Sequence, residues 1–105
     1  MYHVSTSPTQ TDNTNFYNRI DYDVRRGLPL AGDAWELAGS ANPHLVGHPV
    51  TQRILHWFEV AGYQQYGSQV YYADSATSVW SGVPPFSWFD LPTMVQILGG
   101  MGYAW

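Results

Sequence analysis

The sequence predicts a small single α+β domain: about three N-terminal helices, a β-hairpin and a C-terminal helix. Three observations carry this expectation. A chain of 105 residues is the size of one domain. Apolar residues recur at helical spacing up to about residue 62. Beyond residue 68 the pattern changes to β-branched and aromatic residues bounded by turn formers.

The first thirteen residues are polar, rich in Ser and Thr, and carry Pro8. They read as an N-terminal arm (residues 1–13) ahead of the domain (residues 14–105). An arm with so little apolar content is expected to lie on its own domain or on a neighbouring subunit. The first helix is expected from Asn15 to Arg26, capped by Asn13 or Thr14 and stopped by Gly27 and Pro29. Phe16, Tyr17, Ile20 and Val24 then share one face, and Tyr22 projects among Asn18, Arg25 and Arg26.

"GDAWELAG" reads as a short helix capped by Asp33 and closed by Gly39. Asn42-Pro43 starts a single turn. His48-Pro49 starts a main helix whose stripe is Val50, Ile54, Trp57, Phe58 and Ala61, ending at Gly62. "SQVYYA" and "TSVW" then form a hairpin around Asp74-Ser75-Ala76. "SGVPPFSWF" is an irregular arm, because Pro84 and Pro85 exclude a helix and a central strand. Asp90 caps a last helix, Leu91 to Leu98, apolar almost all round. "GGMGYAW" leaves two rings on a glycine stalk.

Composition bounds the function. There is no cysteine, which rules out disulfides and thiolate metal sites and fits the cytoplasm. No apolar run reaches the ~18 residues of a membrane span, and the opening residues do not read as a secretory signal. Only 11% of residues are charged, against about 25% on average. All four cations are arginine (Arg19, Arg25, Arg26, Arg53), while aromatics reach 16%. Interfaces favour Tyr, Trp and Arg over Lys and Glu. Residues 71–90 alone hold six rings and no cation. A domain this small has little room to bury them all beside Trp35, Trp57, Phe16 and Phe58.

The expected function is therefore non-enzymatic: a protein–protein interaction module acting through Tyr22, Tyr71, Trp80, Phe86, Trp88, Phe89 and Trp105. A homodimer is the simplest partner, followed by a small inhibitor or adaptor from a mobile element or phage. No cofactor, metal or catalytic residue is expected. Nucleic acid is disfavoured. Helices followed by a hairpin would place Thr51, Gln52, Arg53 and His56 on a recognition helix, but the wing lacks cations and the chain carries −4.

Two alternatives remain. One is a small pocket enzyme of an α+β cone type, pairing Asp33 or Glu36 with His56, with Tyr22 as a further polar group. No Cys, no Lys and no G-x-S-x-G elbow supports nucleophilic chemistry. The other is a carbohydrate-binding module using Tyr63, Tyr66, Tyr71, Tyr72 and Trp80. His44-x3-His48 has the spacing of two zinc ligands on one helix, but Gly47 and Pro49 oppose helical geometry there.

Overall fold

The computed structural model describes residues 2–64 and 68–105. Its elements are β1 (Tyr2–His3), α1 (Gln10–Val24), β2 (Leu30–Glu36), β3 (Ile54–Tyr63), β4 (Gln69–Ala73), a 3-10 turn (Ser75–Ser78), β5 (Phe86–Asp90), α2 (Leu91–Leu98) and β6 (Gly102–Ala104). The strands form one antiparallel six-stranded sheet in the order β1-β6-β2-β3-β4-β5. Both helices pack on one face of that sheet. Phe16 and Ile20 of α1 and Met94, Val95, Ile97 and Leu98 of α2 meet Leu30, Ala34, Phe58, Val60, Val70, Tyr72 and Tyr103 in the core.

The expected three N-terminal helices do not form, and the chain is mostly sheet. Only the first of them exists, and it begins earlier. Thr9 accepts from the Asp12 amide while the Asp12 carboxylate accepts from the Thr9 amide at 2.8 Å, a reciprocal cap. "LAGDAWE" is strand β2, and "ILHWFEVAGY" is β3. The stripe read into β3 was an accident of composition. Ile54, Phe58 and Val60 face the core, while Leu55 and Trp57 face out. With apolar residues on both faces, alternation is masked and a helical spacing can be picked out of the run. The density of Ile, Trp, Phe, Val and Tyr is the strand signal.

Two later corrections follow the same logic. β4 pairs with β3 and β5, not with Thr77–Trp80, which lies in and after the 3-10 turn. The arm after Pro84 and Pro85 becomes β5, an edge strand, where prolines at the entrance cost no ladder bond. The glycine stalk becomes β6, inserted between β1 and β2, with Tyr103 fully buried. Helix α2 forms over the expected residues, with Asp90 accepting from the Thr93 amide at 3.1 Å. The N-terminal segment adds Tyr2–His3 to the sheet beside β6 and buries Val4. No helix among the described residues is long and apolar enough to cross a membrane.

Candidate functional site

The sheet has two faces, and each carries a distinct group of residues. On the face away from the helices, Leu55 is 58% exposed, Trp57 49%, Phe86 53% and Trp88 49%. Register explains the grouping. Tyr71 lies opposite Trp88, Ala73 opposite Phe86, and Glu59 opposite Ala73, so alternate residues of β3, β4 and β5 share this surface. The Tyr71 ring lies almost parallel to that of Phe86, with centroids 5.7 Å apart, and 5.0 Å from that of Trp88. These three rings hold one another in place. Beside Trp57 lies a shallow trough bounded by Glu59, Ala73, Ser75 and Pro85.

Of the seven aromatics expected to bind a partner, Tyr71, Phe86 and Trp88 thus come together on this face. Tyr22 and Trp105 lie elsewhere and are exposed. The Arg19 guanidinium sits 3.9 Å from the Trp105 ring and 5.2 Å from that of Tyr22, and Arg26 sits 3.6 Å from Tyr22. Phe89 packs against the core. The Trp80 ring lies 5.1 Å from His48, on the other side of the sheet's chemistry. Trp57 was missed because the helical reading placed it in the apolar stripe, and Leu55 was given no role at all. The set expected to stack on a sugar is not assembled either. Tyr72 is buried, Tyr63 hydrogen-bonds Asp21 and Arg25, and Tyr66 lies outside the described residues.

The second group is polar and buried. Glu36 ends β2, His56 lies on β3, Asp74 follows β4, and His48 comes from the loop between β2 and β3. His48 Nδ1 is 2.8 Å from Glu36 Oε2, and its Nε2 is 2.6 Å from Asp74 Oδ2. His56 Nε2 is 2.6 Å from Asp74 Oδ1, which also accepts from the Ala76 amide at 2.8 Å. The Leu45 amide donates to Glu36 Oε1 at 3.1 Å. The side chains of Glu36, His48 and Asp74 are wholly buried, and that of His56 is 18% exposed. The enzyme alternative paired Asp33 or Glu36 with His56. In the structure Asp33 lies opposite Trp57 on β3, while Glu36 reaches His56 only through His48 and Asp74.

Loop closure over this cluster depends on two details. The Tyr72 hydroxyl accepts from the Val46 amide at 3.0 Å, tying the loop to β4. Gly47 has φ +81° and packs directly on the Gly82 backbone, where a Cβ has no room. His44 and His48 share a carboxylate, not a helix face. His44 Nδ1 lies 3.2 Å from Glu36 Oε1.

Charge follows from geometry. Both ring nitrogens of His48 face carboxylate oxygens, and only the imidazolium donates from both. Burial alone would push the His48 pKa down, but hydrogen bonds and attraction from Glu36, then Asp74, raise it above its ordinary 6.5. For Asp74, burial pushes upward. The Ala76 amide, His48 and His56 outweigh it and hold the carboxyl below its ordinary 3.8. Asp33 is raised by burial.

The signs give a stability profile for metal-free protein. A raised histidine stabilises fully below its ordinary 6.5, and that stabilisation is lost as pH climbs through its folded value. A depressed carboxyl stabilises fully above 3.8 and loses its effect as pH falls below that. Urea midpoints measured in chelator should therefore fall as pH drops below 3.8 and fall again as it climbs above 6.5. Between those values the raised Asp33 carboxyl makes stability ease downward from its acid side. An alkaline decline of the same size in His48→Gln would place its origin elsewhere.

Comparisons with protein-family models, with curated proteins and with solved structures found no match to this chain.

Proposed function

We propose that the protein is a non-enzymatic association module that pairs with a second copy of itself through the outer face of its sheet. The observation that carries this reading is the cluster of Leu55, Trp57, Tyr71, Phe86 and Trp88 on a face that neither helix covers. Antiparallel sheets with one wet face ordinarily alternate apolar and polar residues. Here β3 and β5 put large apolar side chains on both sides, the pattern of a sheet meant to be covered twice.

Area and chemistry favour a second copy as the cover. Each ring hides about 150–250 Å² when buried. Four large side chains about half exposed, Leu55, Trp57, Phe86 and Trp88, together with the partly covered Tyr71, offer several hundred Å² per chain. That approaches the ~800 Å² per partner of a standard interface. The face carries a single exposed carboxylate, Glu59, among its large apolar side chains, and no cation among the described residues. A mainly apolar face can cover a second copy of itself, with Glu59 left toward the rim. Two such sheets stack ~10 Å apart in a sandwich. The cysteine-free composition supports a cytoplasmic location.

Light scattering after gel filtration tests the reading. Wild type should have about twice the 11.8 kDa chain mass. Trp88→Lys should give a monomer with an unchanged circular dichroism spectrum, because it would put a charge into the apolar interface without disturbing the core. A monomeric wild type at high micromolar concentration overturns self-association. A dimer that survives Trp88→Lys and Trp57→Lys overturns the proposed face.

A further inference from the structure

We propose that His48, His56 and Asp74 bind one divalent first-row transition-metal ion, with Glu36 as the outer carboxylate that orients His48. The donor set points there first. The Nε2 atoms of two imidazoles and a carboxylate oxygen lie within 4.8 Å of one another. Two nitrogens and one oxygen suit zinc and its neighbours, not calcium or magnesium, which prefer all-oxygen shells.

The surroundings have the form such ions require. A metal-bound histidine usually gives its second ring N–H to a carboxylate or carbonyl, which fixes the ring and strengthens the ligand. His48 does this, with Nδ1 on Glu36 Oε2 at 2.8 Å and Nε2 turned to the site. The Ala76 amide holds Asp74 in turn at 2.8 Å. Trp80 lies against His48 and Val83 is buried nearby in the same loop, so the walls are apolar on one side. His56 is the partly exposed member and marks the way in from solvent. Three protein donors leave a coordination position for water.

An independent observation concerns His44. Its side chain is only 6% exposed, and its buried Nδ1 makes no hydrogen bond, although Glu36 Oε1 is 3.2 Å away. A buried polar nitrogen without a partner is uncommon and needs a reason. Two carboxylates and three imidazoles are thus packed together, with the His44 Nδ1 left without a well-formed bond. A dication at Asp74 cancels both carboxylate charges.

The fit requires a small movement. His48 and His56 each stand 2.6 Å from Asp74, a hydrogen-bond spacing. Ligands about 2.0–2.1 Å from a tetrahedral ion are roughly 3.3 Å apart. Asp74 and His48 sit on or beside loops, so separating them by under an ångström disturbs no strand pairing.

The test is calorimetric titration of chelator-treated full-length protein with Zn²⁺, alongside Mg²⁺ and Ca²⁺. One Zn²⁺ per chain, a raised melting temperature and no response to Mg²⁺ or Ca²⁺ are expected. Co²⁺ should develop the visible absorption of a four- or five-coordinate ion. Long-range ¹⁵N–¹H spectra of wild type should show the Nε2 resonances of His48 and His56 shifting on Zn²⁺ addition, which needs no variant to fold. His56→Ala and Glu36→Gln should each weaken Zn²⁺ about 10–100-fold or more. His3→Ala, on exposed β1, should leave affinity unchanged. Absence of heat and of any melting shift with Zn²⁺ overturns the proposal. So does unshifted Nε2 resonance for His48 and His56, full affinity in a folded His56→Ala, or loss of affinity in His3→Ala.

Discussion

Asp74→Ala should cost about 3–5 kcal/mol, the penalty for breaking a buried charge pair from one side. Three donors converge on that carboxylate: His48, His56 and the Ala76 amide. Its removal leaves the His48 imidazolium facing Glu36 alone and strands two further N–H groups in a site with little water. A domain of this kind has about 5–15 kcal/mol in total, so the variant should be marginal, visible as an early urea midpoint in chelator. Asp74→Asn keeps one oxygen acceptor and the side-chain shape, and should lose less. An alanine variant within about 1 kcal/mol of wild type would mean that solvent enters the cluster and takes over those bonds.

The cluster was half legible in the sequence. Glu36, His44, His48 and His56 were all singled out, because carboxylates and imidazoles are scarce in this chain and their chemistry is specific. Asp74 was read only as a turn residue, and nothing local marked it otherwise. It sits 26 residues from His48 and 18 from His56 in the chain. Only the sheet brings them together, by running β3 antiparallel to β4. A wrong secondary structure for residues 54–63 therefore hid the site as well as the fold.

The fold itself was legible where local signals dominate. Asp90, the following Pro92 and a largely apolar run from Leu91 to Leu98 specify α2 without help from the rest of the chain. The strong Val70–Tyr72 alternation likewise specifies β4. "GDAWELAG" misled because Ala, Glu and Leu favour helix in isolation. Pairing along the full length of β2 with β3, and of its first half with β6, overrides that preference. The exposed aromatics reflect the same conflict from the other direction. Trp57 looked like core because a sequence does not say how many sides of a strand will be covered.

Phe58→Ala should cost about 3–5 kcal/mol as a large ring lost from a closed core, and its partner residue makes that figure open to a sharper check. Gly32 on β2 pairs directly with Phe58 on β3, and the ring lies over the glycine where a Cβ would stand. Gly32→Val should therefore destabilise on its own by overpacking, about 1–3 kcal/mol, by driving the ring out of its place. In the double variant the valine fills part of the space the ring vacates. The two losses should then fall short of their sum by about 0.5–3 kcal/mol, the range for side chains in contact. Additive losses would mean that the ring and the glycine do not share that space. The consequence reaches the polar cluster, because Phe58 supports Tyr72 edge to face at 5.6 Å. Tyr72 in turn holds the Val46 amide two residues before His48. A slack Phe58 site should loosen that loop, so Phe58→Ala should also blunt the alkaline decline in stability that His48 produces.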